Sequence, residues 1–451
     1  MAPTVRSFFT ELEPLTLIEK YPESYPGLLE SGDVTTAAGK CSRFDILPMA
    51  NGECLRLETG GRLTGPYAGT DGFLGALNQW WAQLREPATA CPLPFTGGWL
   101  LYLGYELAAE IEPRLKLPPS SDSMVALAIR APAAWIRDGA SGSAWLIAED
   151  GAESLLDQFE NRARSAARSE SVTVPESIVT EEEPAKFLKS VERALEYIAA
   201  GDVYQANLSR SWQVTMSSQI NPVAIYERLR ASNPSPFAAL LRHEDFVLLS
   251  SSPERLVAIR GNTVSTRPIA GTRPRGADAR ADAALVSSLL DNEKERAEHV
   301  MLIDLERNDL GRVCAGGSVR VDEYMSVESY AHVHHIVSNV SGRLRADVSP
   351  VDVIRALFPG GTITGCPKFR CMQIIAELEG VGRGAYTGSL GYLNRDGSCD
   401  LNILIRTITA REEVFKFRAG AGIVADSVAL EELAETRAKA EGLLRALVTR
   451  P

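Results

Sequence analysis

The chain has 451 residues, of which 45% are hydrophobic and 23% are charged, as in folded globular proteins. Its net charge of −11 argues against a nucleic-acid partner, because phosphate binding requires a basic face, but a locally positive pocket could still bind a small anion. No apolar run approaches the roughly 20 residues that a bilayer crossing needs, and the first residues lack the pattern of a signal peptide. We therefore expect a cytoplasmic protein without membrane contact.

We expect three regions along the chain, which together form one interwoven globule. Residues 1–150 contain strand and turn material, and residues 151–184, rich in Ser, Glu and Arg, are predicted to be a surface connection. Residues 185–449 mix strands with helices. Their strands come in clusters rather than in strict alternation with helices, which favours an α+β sandwich over a doubly wound sheet.

Hydrophobic periodicity predicts individual elements in the third region. One helix begins near Pro184 and ends near Gly201, where a glycine is a common stop. Further helices are predicted at residues 291–307, 367–378 and 430–448, and candidate strands at residues 246–250, 388–393 and 403–408. The polar residues considered next lie on these elements or between them.

Two of the predicted helices, residues 291–307 and 430–448, carry acids on the face that also bears apolar side chains. These acids are Glu295, Glu298, Glu432 and Glu435. A carboxylate on a core-facing stripe is costly unless it is paired, hydrogen-bonded or bound to a cation, and its oxygens suit Mg²⁺. Alternatively, both helices are simply amphipathic and the acids are solvated at the edge of the stripe. The spacing leaves both interpretations open.

Three further features have a structural and a functional interpretation. Residues 359–368 (PGGTITGCPK) lead into a helix start whose N–H groups could bind an anion, although they lack the Gly-Lys of a Walker loop. Arg406, within an apolar run, could clamp a carboxylate or belong to a structural ion pair. Of the neighbouring His332, His334 and His335, the last two would face opposite sides of a strand, which disfavours a shared zinc ion.

Six segments follow one another in a recognisable order. They are residues 251–256 (SSPERL), 267–276 (RPIAGTRPRG), 293–299 (EKERAEH), 304–312 (DLERNDLGR), 365–368 (GCPK) and 419–425 (AGAGIVA). This order resembles the chorismate-utilising enzymes, which include anthranilate, aminodeoxychorismate, isochorismate and salicylate synthases. The resemblance is strong over residues 185–449 and looser before them. It implies an α+β fold in which helices cover a large interwoven β-sandwich, in four layers (αββα).

The resemblance also assigns roles to residues of this chain. It implies that Glu298 and Glu435 bind Mg²⁺, with Glu295 and Glu432 in support through water. Glu254 matches the general acid that protonates the departing hydroxyl, a poor leaving group that needs a positioned proton donor. The remaining site residues that the resemblance implies are the catalytic His335 and Thr272 and the substrate-binding Arg406, Tyr386, Lys439, Gly271, Ala270, Gly365 and Gly422.

The nucleophile is indicated by Gln205. In the water-using isochorismate and salicylate synthases the corresponding residue is a lysine base, and glutamine cannot deprotonate water, so ammonia is favoured. Ala270 stands where many aminodeoxychorismate synthases carry a nucleophilic lysine. Anthranilate synthases also have alanine at this position. No Gly-x-Cys-x-Gly motif surrounds any cysteine, so ammonia is expected from a separate glutaminase subunit.

Several details resemble the aminodeoxychorismate synthases, which supply 4-aminobenzoate for folate, more than the anthranilate synthases. These are Tyr204-Gln205 followed by Asn207, and the amino-acid sequences of residues 42–46, 362–365 and 388–392. The alternative product is anthranilate, and a further alternative is a non-catalytic relative that only senses a ligand. Ser31, Ser42, Arg43, Pro236 and Phe237 resemble an indole pocket of anthranilate synthases, although we slightly favour a structural role in the first sheet.

Overall fold

The computed structural model describes residues 3–9, 12–32, 35–36, 39–40, 44–69, 71–166, 174–330 and 333–448. Three residues singled out from the sequence, Ser42, Arg43 and His332, lie outside the described residues. None of the described helices combines the length and apolar character that a bilayer crossing would require.

The strands of the described residues fall into two antiparallel sheets. In chain order they are β1 (Thr4–Phe8), β2 (Gly27–Glu30), β3 (Thr35–Thr36), β4 (Gly39–Lys40), β5 (Phe44–Met49), β6 (Cys54–Glu58), β7 (Leu63–Thr64), β8 (Gly98–Leu103), β9 (Met124–Ala131), β10 (Ala133–Asp138), β11 (Ala144–Ala148), β12 (Ser177–Glu181), β13 (Gln205–Met216), β14 (Phe237–His243), β15 (Phe246–Ser252), β16 (Arg255–Arg260), β17 (Thr263–Arg267), β18 (Ile269–Pro274), β19 (Arg320–Ser329), β20 (Val333–Arg343), β21 (Gly365–Cys366), β22 (Ser389–Asn394), β23 (Cys399–Asn402), β24 (Thr407–Arg411) and β25 (Val414–Ile423).

Helices occur between the strands throughout the chain. They are α1 (Pro14–Lys20), α2 (Gly72–Leu84), α3 (Ala108–Ile111), α4 (Glu153–Ser165), α5 (Pro184–Ala199), α6 (Pro222–Ser232), α7 (Ala279–Asp291), α8 (Glu293–Gly311), α9 (Pro350–Leu357), α10 (Lys368–Glu379) and α11 (Ala429–Leu447). The helices predicted near Pro184 and at residues 291–307, 367–378 and 430–448 correspond to α5, α8, α10 and α11.

Both sheets take strands from the two ends of the chain. The first runs β1-β11-β10-β5-β2-β14-β15-β24-β25-β13-β12, with β21 paired to β13. The second runs β4-β3-β19-β20-β17-β16-β23-β22-β8-β9-β6-β7, with β18 paired to β20. Early and late strands join at three places: β2 with β14, where Leu28 lies opposite Leu240; β8 with β22, where Leu101 lies opposite Gly391; and β3 with β19.

The two sheets pack face to face, and helices cover their outer faces. Leu100, Leu127 and Leu390 of the second sheet share a core with Leu241 and Leu248 of the first. Buried side chains of α1, α4, α6 and α11 pack on the first sheet, and those of α2 and α9 pack on the second. Burying one face of each sheet against the other and the opposite face under helices gives the layers α-β-β-α. The predicted α+β sandwich is confirmed.

Two sequence predictions need correction. Residues 151–184 are not only a connection, because α4 buries Leu156, Phe159 and Ala163 under the first sheet and β12 extends that sheet. An amphipathic helix that buries so few side chains leaves no long apolar run in the sequence. The strand predicted at residues 403–408 begins only at Thr407. Arg406 before it has a φ of 51°, which is incompatible with an extended strand.

Candidate active site

One cavity of about 850 Å³ collects nearly all of the residues singled out from the sequence. Its lining includes Gln205, Glu254, Ala270, Gly271, Thr272, Glu295, Glu298, His335, Tyr386, Arg406, Gly422, Glu432, Glu435 and Lys439. Gly365 is not in the lining. It lies on β21, where it pairs with Ala206 of β13, and a Cβ on Gly365 would lie 2.1 Å from the Gln205 carbonyl oxygen. Gly365 therefore supports the strand that carries Gln205 rather than facing the cavity.

Strands β13 and β25 form one wall of the cavity, where Asn207 lies opposite Gly422. A Cβ on Gly420 would lie 2.6 Å from the Tyr386 hydroxyl, and a Cβ on Gly422 would lie 2.4 Å from Gln205 Nε2. Side chains at these two positions would therefore displace polar groups that line the cavity. The glycines of the AGAG segment make room for Tyr386 and Gln205.

Arg406 lies where the chain leaves the second sheet for β24. The backbone carbonyl of Arg406 accepts a hydrogen bond of 3.1 Å from the Ser251 N–H, which fixes the residue in its left-handed conformation. Within the described part of the chain, its guanidinium makes neither a hydrogen bond nor an ion pair, and burial lowers the pKa of Arg406. A buried cation that faces a cavity and has no carboxylate as an ion-pair partner is a ready site for an anion.

Glu254 follows β15 and is only 5% exposed. Its Oε1 atom is buried without a hydrogen-bond partner among the described residues. Burial raises the pKa of Glu254 to about 7, and the nearby Glu306 carboxyl also acts to raise it. With a pKa near 7, Glu254 still carries its proton in a large fraction of the molecules at neutral pH, which allows it to act as a general acid.

His335 on β20 is buried beside Thr272 and Gly271 of β18. Its Nδ1 atom lies 2.9 Å from Thr272 Oγ1 and 3.3 Å from the Gly271 carbonyl oxygen, which can only accept. We assign the Nδ1–H tautomer on that basis, which leaves Nε2 as an acceptor. Burial, together with Arg406, lowers the pKa of His335 to about 3, so the ring is neutral at physiological pH.

Four carboxylates reach the cavity from α8 and α11. Asn292 caps α8 by accepting the Glu295 N–H at 3.1 Å, and this first turn suits acidic residues. Glu295 pairs with Arg273 at 2.6 Å while its Oε2 has no hydrogen-bond partner among the described residues. Glu435 pairs with Lys439 at 2.7 Å.

These carboxylates suit Mg²⁺ in the chemistry of their oxygens. Among the described residues, no three His, Cys, Asp or Glu side chains are grouped closely enough to hold a metal by themselves. Mg²⁺ commonly keeps several waters and takes only one or two protein carboxylates, with further ligands from the substrate. The unpartnered Oε2 of Glu295 is a buried oxygen that a hydrated cation could satisfy. The donor set therefore fits a partly hydrated ion shared with the substrate.

Unpaired polar atoms concentrate in this cavity. Among the described residues, six buried side-chain atoms without a hydrogen-bond partner belong to its lining: Gln205 Oε1, Asn207 Oδ1, Glu254 Oε1, Glu295 Oε2, His335 Nε2 and Thr362 Oγ1. Buried polar groups are nearly always paired, so a cluster of exceptions indicates a place for a polar ligand.

Sequence reasoning did not select Asn207, Thr362 or Arg418 as site residues. Asn207 and Thr362 occur in segments it had quoted, and that was the available signal.

Two of the residues that resemble an indole pocket lie at a second, smaller cavity of about 220 Å³. Pro236 and Phe237 line it together with Leu29, Phe44 and Tyr392. Ser31 is not in this lining. Its N–H donates to Asp45 Oδ1 of β5 at 2.9 Å, directly after the end of β2. The lining mixes these apolar side chains with charged ones such as Arg255 and Asp400, and an indole ligand stays a prediction.

Comparison with known proteins agrees with this geometry. Residues 60–445 match the family model described as chorismate binding enzyme. The chain is 44% identical over 362 residues, 79% of its length and 73% of the relative's, to an anthranilate synthase component I-like protein of Synechocystis. It is 52% identical over 261 residues, 58% of its length and 55% of the relative's, to aminodeoxychorismate synthase component 1 of Bacillus subtilis.

A solved structure is also similar over most of its length. Anthranilate synthase component I from Streptococcus pneumoniae superposes with a TM-score of 0.79 at 31% identity, covering 89% of this chain and 92% of that one. The chain therefore belongs to the chorismate binding enzyme family. It is a chorismate-utilising enzyme of the anthranilate and aminodeoxychorismate synthase group.

Proposed function

We propose that this protein is component I of an aminodeoxychorismate synthase, which converts chorismate and ammonia to 4-amino-4-deoxychorismate for folate synthesis. The observation that carries the chemistry is the cavity in which the Arg406 guanidinium, with no ion pair among the described residues, faces the same space as the Glu254 carboxyl. The first can bind a substrate carboxylate and the second can supply a proton. The choice of product rests on Tyr204-Gln205 with Asn207 and on the similarity to the Bacillus subtilis protein.

The residues of the cavity have different roles in the proposed reaction. Arg406 binds a carboxylate of chorismate, and the hydroxyl of Tyr386 and the ammonium of Lys439, which donates to the Gly420 carbonyl oxygen at 3.0 Å, complete the clamp. Glu254 gives its proton to the ring hydroxyl, so that the C–O bond breaks and water leaves. Ammonia forms the new C–N bond, and the resulting ammonium group loses one proton, which restores the Glu254 carboxyl.

Two neutral side chains prepare the site for an uncharged nucleophile. His335 is neutral and offers the lone pair of Nε2, and Gln205 offers an unpaired amide oxygen. Both can accept N–H or O–H groups without repelling the Arg406 cation, and neither can turn water into hydroxide at neutral pH. The methyl group of Ala270 cannot form a covalent adduct with the ring, so ammonia has to attack directly.

A divalent ion completes the proposal. Glu298 and Glu435 would hold Mg²⁺, with Glu295 and Glu432 assisting through water, and the ion would supply positive charge to the ring carboxylate of the substrate. The ammonia would come from a separate glutaminase subunit, since no Gly-x-Cys-x-Gly motif is present in this chain.

The product of the isolated chain tests this function. With chorismate, MgCl₂ and an ammonium salt, we expect 4-amino-4-deoxychorismate to accumulate, as identified by liquid chromatography and mass spectrometry. Replacing ammonium with glutamine, or chelating the metal with EDTA, should abolish product formation. Release of anthranilate and pyruvate would instead establish the anthranilate synthase alternative. Recovery of unchanged chorismate in every arm would favour a non-catalytic relative.

A further inference from the structure

A second arginine, Arg383, lies behind the cavity rather than in it. It is 4% exposed, and each of its three guanidinium nitrogens donates to the protein. Nε and Nη2 donate to the Glu379 carboxylate at 3.1 and 2.6 Å. Nη2 also donates to the Asn207 carbonyl oxygen at 2.6 Å, and Nη1 donates to the Ile363 carbonyl oxygen at 3.1 Å and to Thr387 Oγ1 at 3.4 Å. These contacts occupy the five N–H donors of a guanidinium.

The counter-ion of Arg383 is itself held by several partners. Glu379 also accepts from Arg418 Nη2 at 3.0 Å and from the backbone N–H and hydroxyl of Ser209, each at 2.9 Å. Burial alone would raise the pKa of Glu379, but Arg383 and Arg418 outweigh burial and lower it. The carboxylate is therefore ionised, and it fixes the orientation of the Arg383 fork.

The contacts of Arg383 join three segments that each contribute to the cavity wall. Asn207 of β13, Ile363 of the segment before β21, and Tyr386 all line the cavity, whereas Arg383 does not. The Tyr386 N–H donates to the Arg383 carbonyl oxygen at 3.1 Å, and the guanidinium lies 5.5 Å from the Tyr386 ring centroid. Thr387, the next residue, has a φ of 65°, which a β-branched residue adopts only when its surroundings hold it there.

We propose that Arg383 is a positioning residue, which holds the Asn207 amide and the Tyr386 hydroxyl in the arrangement that binds chorismate. This inference rests on the proposed function of the cavity. A lysine could replace the charge but not the planar fork, because one ammonium cannot bond a carboxylate and two backbone carbonyls of separate segments in these directions. Small displacements of groups that orient a substrate can lower the rate by about 100-fold.

The test compares Arg383→Lys with a matched control, Arg130→Lys. Arg130 is also buried (5% exposed) and bonds Glu149 and the Gly98 carbonyl oxygen, but it lines neither the large nor the small cavity. We expect both variants to melt at lower temperature. Only Arg383→Lys should lower kcat/KM for chorismate, by about 100-fold, whereas Arg130→Lys should stay within about twofold of the wild type. Equal kcat/KM in the two variants would overturn the proposal.

A double-mutant cycle with Tyr386→Phe separates positioning from general destabilisation. If Arg383 acts through Tyr386, removing the Tyr386 hydroxyl should lower kcat/KM much less in Arg383→Lys than in the wild type. If the fold losses in kcat/KM of the two single variants simply multiply in the double variant, the two residues act independently and the proposal is contradicted. Should Arg383→Lys not fold, Glu379→Gln keeps both Arg383 contacts to the backbone carbonyls and should give the same pattern with a smaller loss, about 10-fold. Consumption of chorismate is measured whichever product forms, so failure of the proposed product leaves this test intact.

Discussion

Glu254→Gln should lower kcat by about 10²- to 10⁴-fold, the usual contribution of a positioned general acid, while the affinity for chorismate changes by less than about threefold. Glutamine keeps the shape and the polarity of the side chain, so the cavity is preserved. It lacks the proton that converts the departing hydroxyl to water. Single-turnover kinetics and calorimetric titration of chorismate onto the variant measure the two quantities separately.

The pH dependence of the same enzyme provides an internal check. Because burial raises the pKa of Glu254 to about 7, the protonated fraction is nearly complete at pH 5.5 and falls by about tenfold per pH unit above pH 8. The rate, corrected at each pH for the concentration of free ammonia, should therefore decrease through this range. A corrected rate that is flat between pH 6 and 9, or a Glu254→Gln variant with wild-type kcat, would mean that another group donates the proton.

Arg406→Met should raise the KM for chorismate by about 100-fold or more, because two charge-assisted hydrogen bonds of about 1.5–3 kcal/mol each are lost. The same substitution should raise the melting temperature of the ligand-free protein. Within the described residues no carboxylate within ion-pair distance compensates the Arg406 charge, and burial lowers its pKa, so the cation costs stability until a substrate anion binds. Steady-state kinetics and differential scanning calorimetry give the two values.

Arg395→Met is the matched control for this prediction. Arg395 pairs with Glu86 at 2.6 Å and with Glu149 at 2.8 Å, and it lies in the lining of neither cavity. Its removal takes one arginine partner away from each of the two carboxylates, so the melting temperature should fall while KM stays unchanged. If Arg406→Met destabilises the protein as Arg395→Met does and leaves KM unaltered, Arg406 has a structural role and the clamp is assigned wrongly.

The sequence was a better guide to which residues line the cavity than to how these residues are arranged in space. The spacing of Glu295 and Glu298 on one helix, and of Glu432 and Glu435 on another, was compatible with solvated acids. Only the fold shows that both helices border one cavity. The order of the six motifs decided the interpretation, because it implied a sandwich that brings distant segments together. That fold is confirmed, whereas the metal and the roles of the individual residues stay predictions.

What the sequence could not reveal depends on contacts between distant segments. The ion-pair network of Glu379, Arg383 and Arg418 joins α10, the following loop and β25, and no periodicity places these residues together. The left-handed φ of Arg406 delays the start of the predicted strand to Thr407, and an apolar run in the sequence does not reveal the backbone conformation of one residue. Helix α4 was missed because its few buried side chains are spread among charged ones.

The most direct measurement is a crystal structure of Glu254→Gln with chorismate and Mg²⁺. Slow turnover in this variant should trap the substrate in the cavity of about 850 Å³. We expect a chorismate carboxylate within hydrogen-bond distance of the Arg406 guanidinium and the ring hydroxyl next to residue 254. Chorismate bound elsewhere, or an Arg406 side chain that pairs with a protein carboxylate while the substrate lies beyond its reach, would contradict the account.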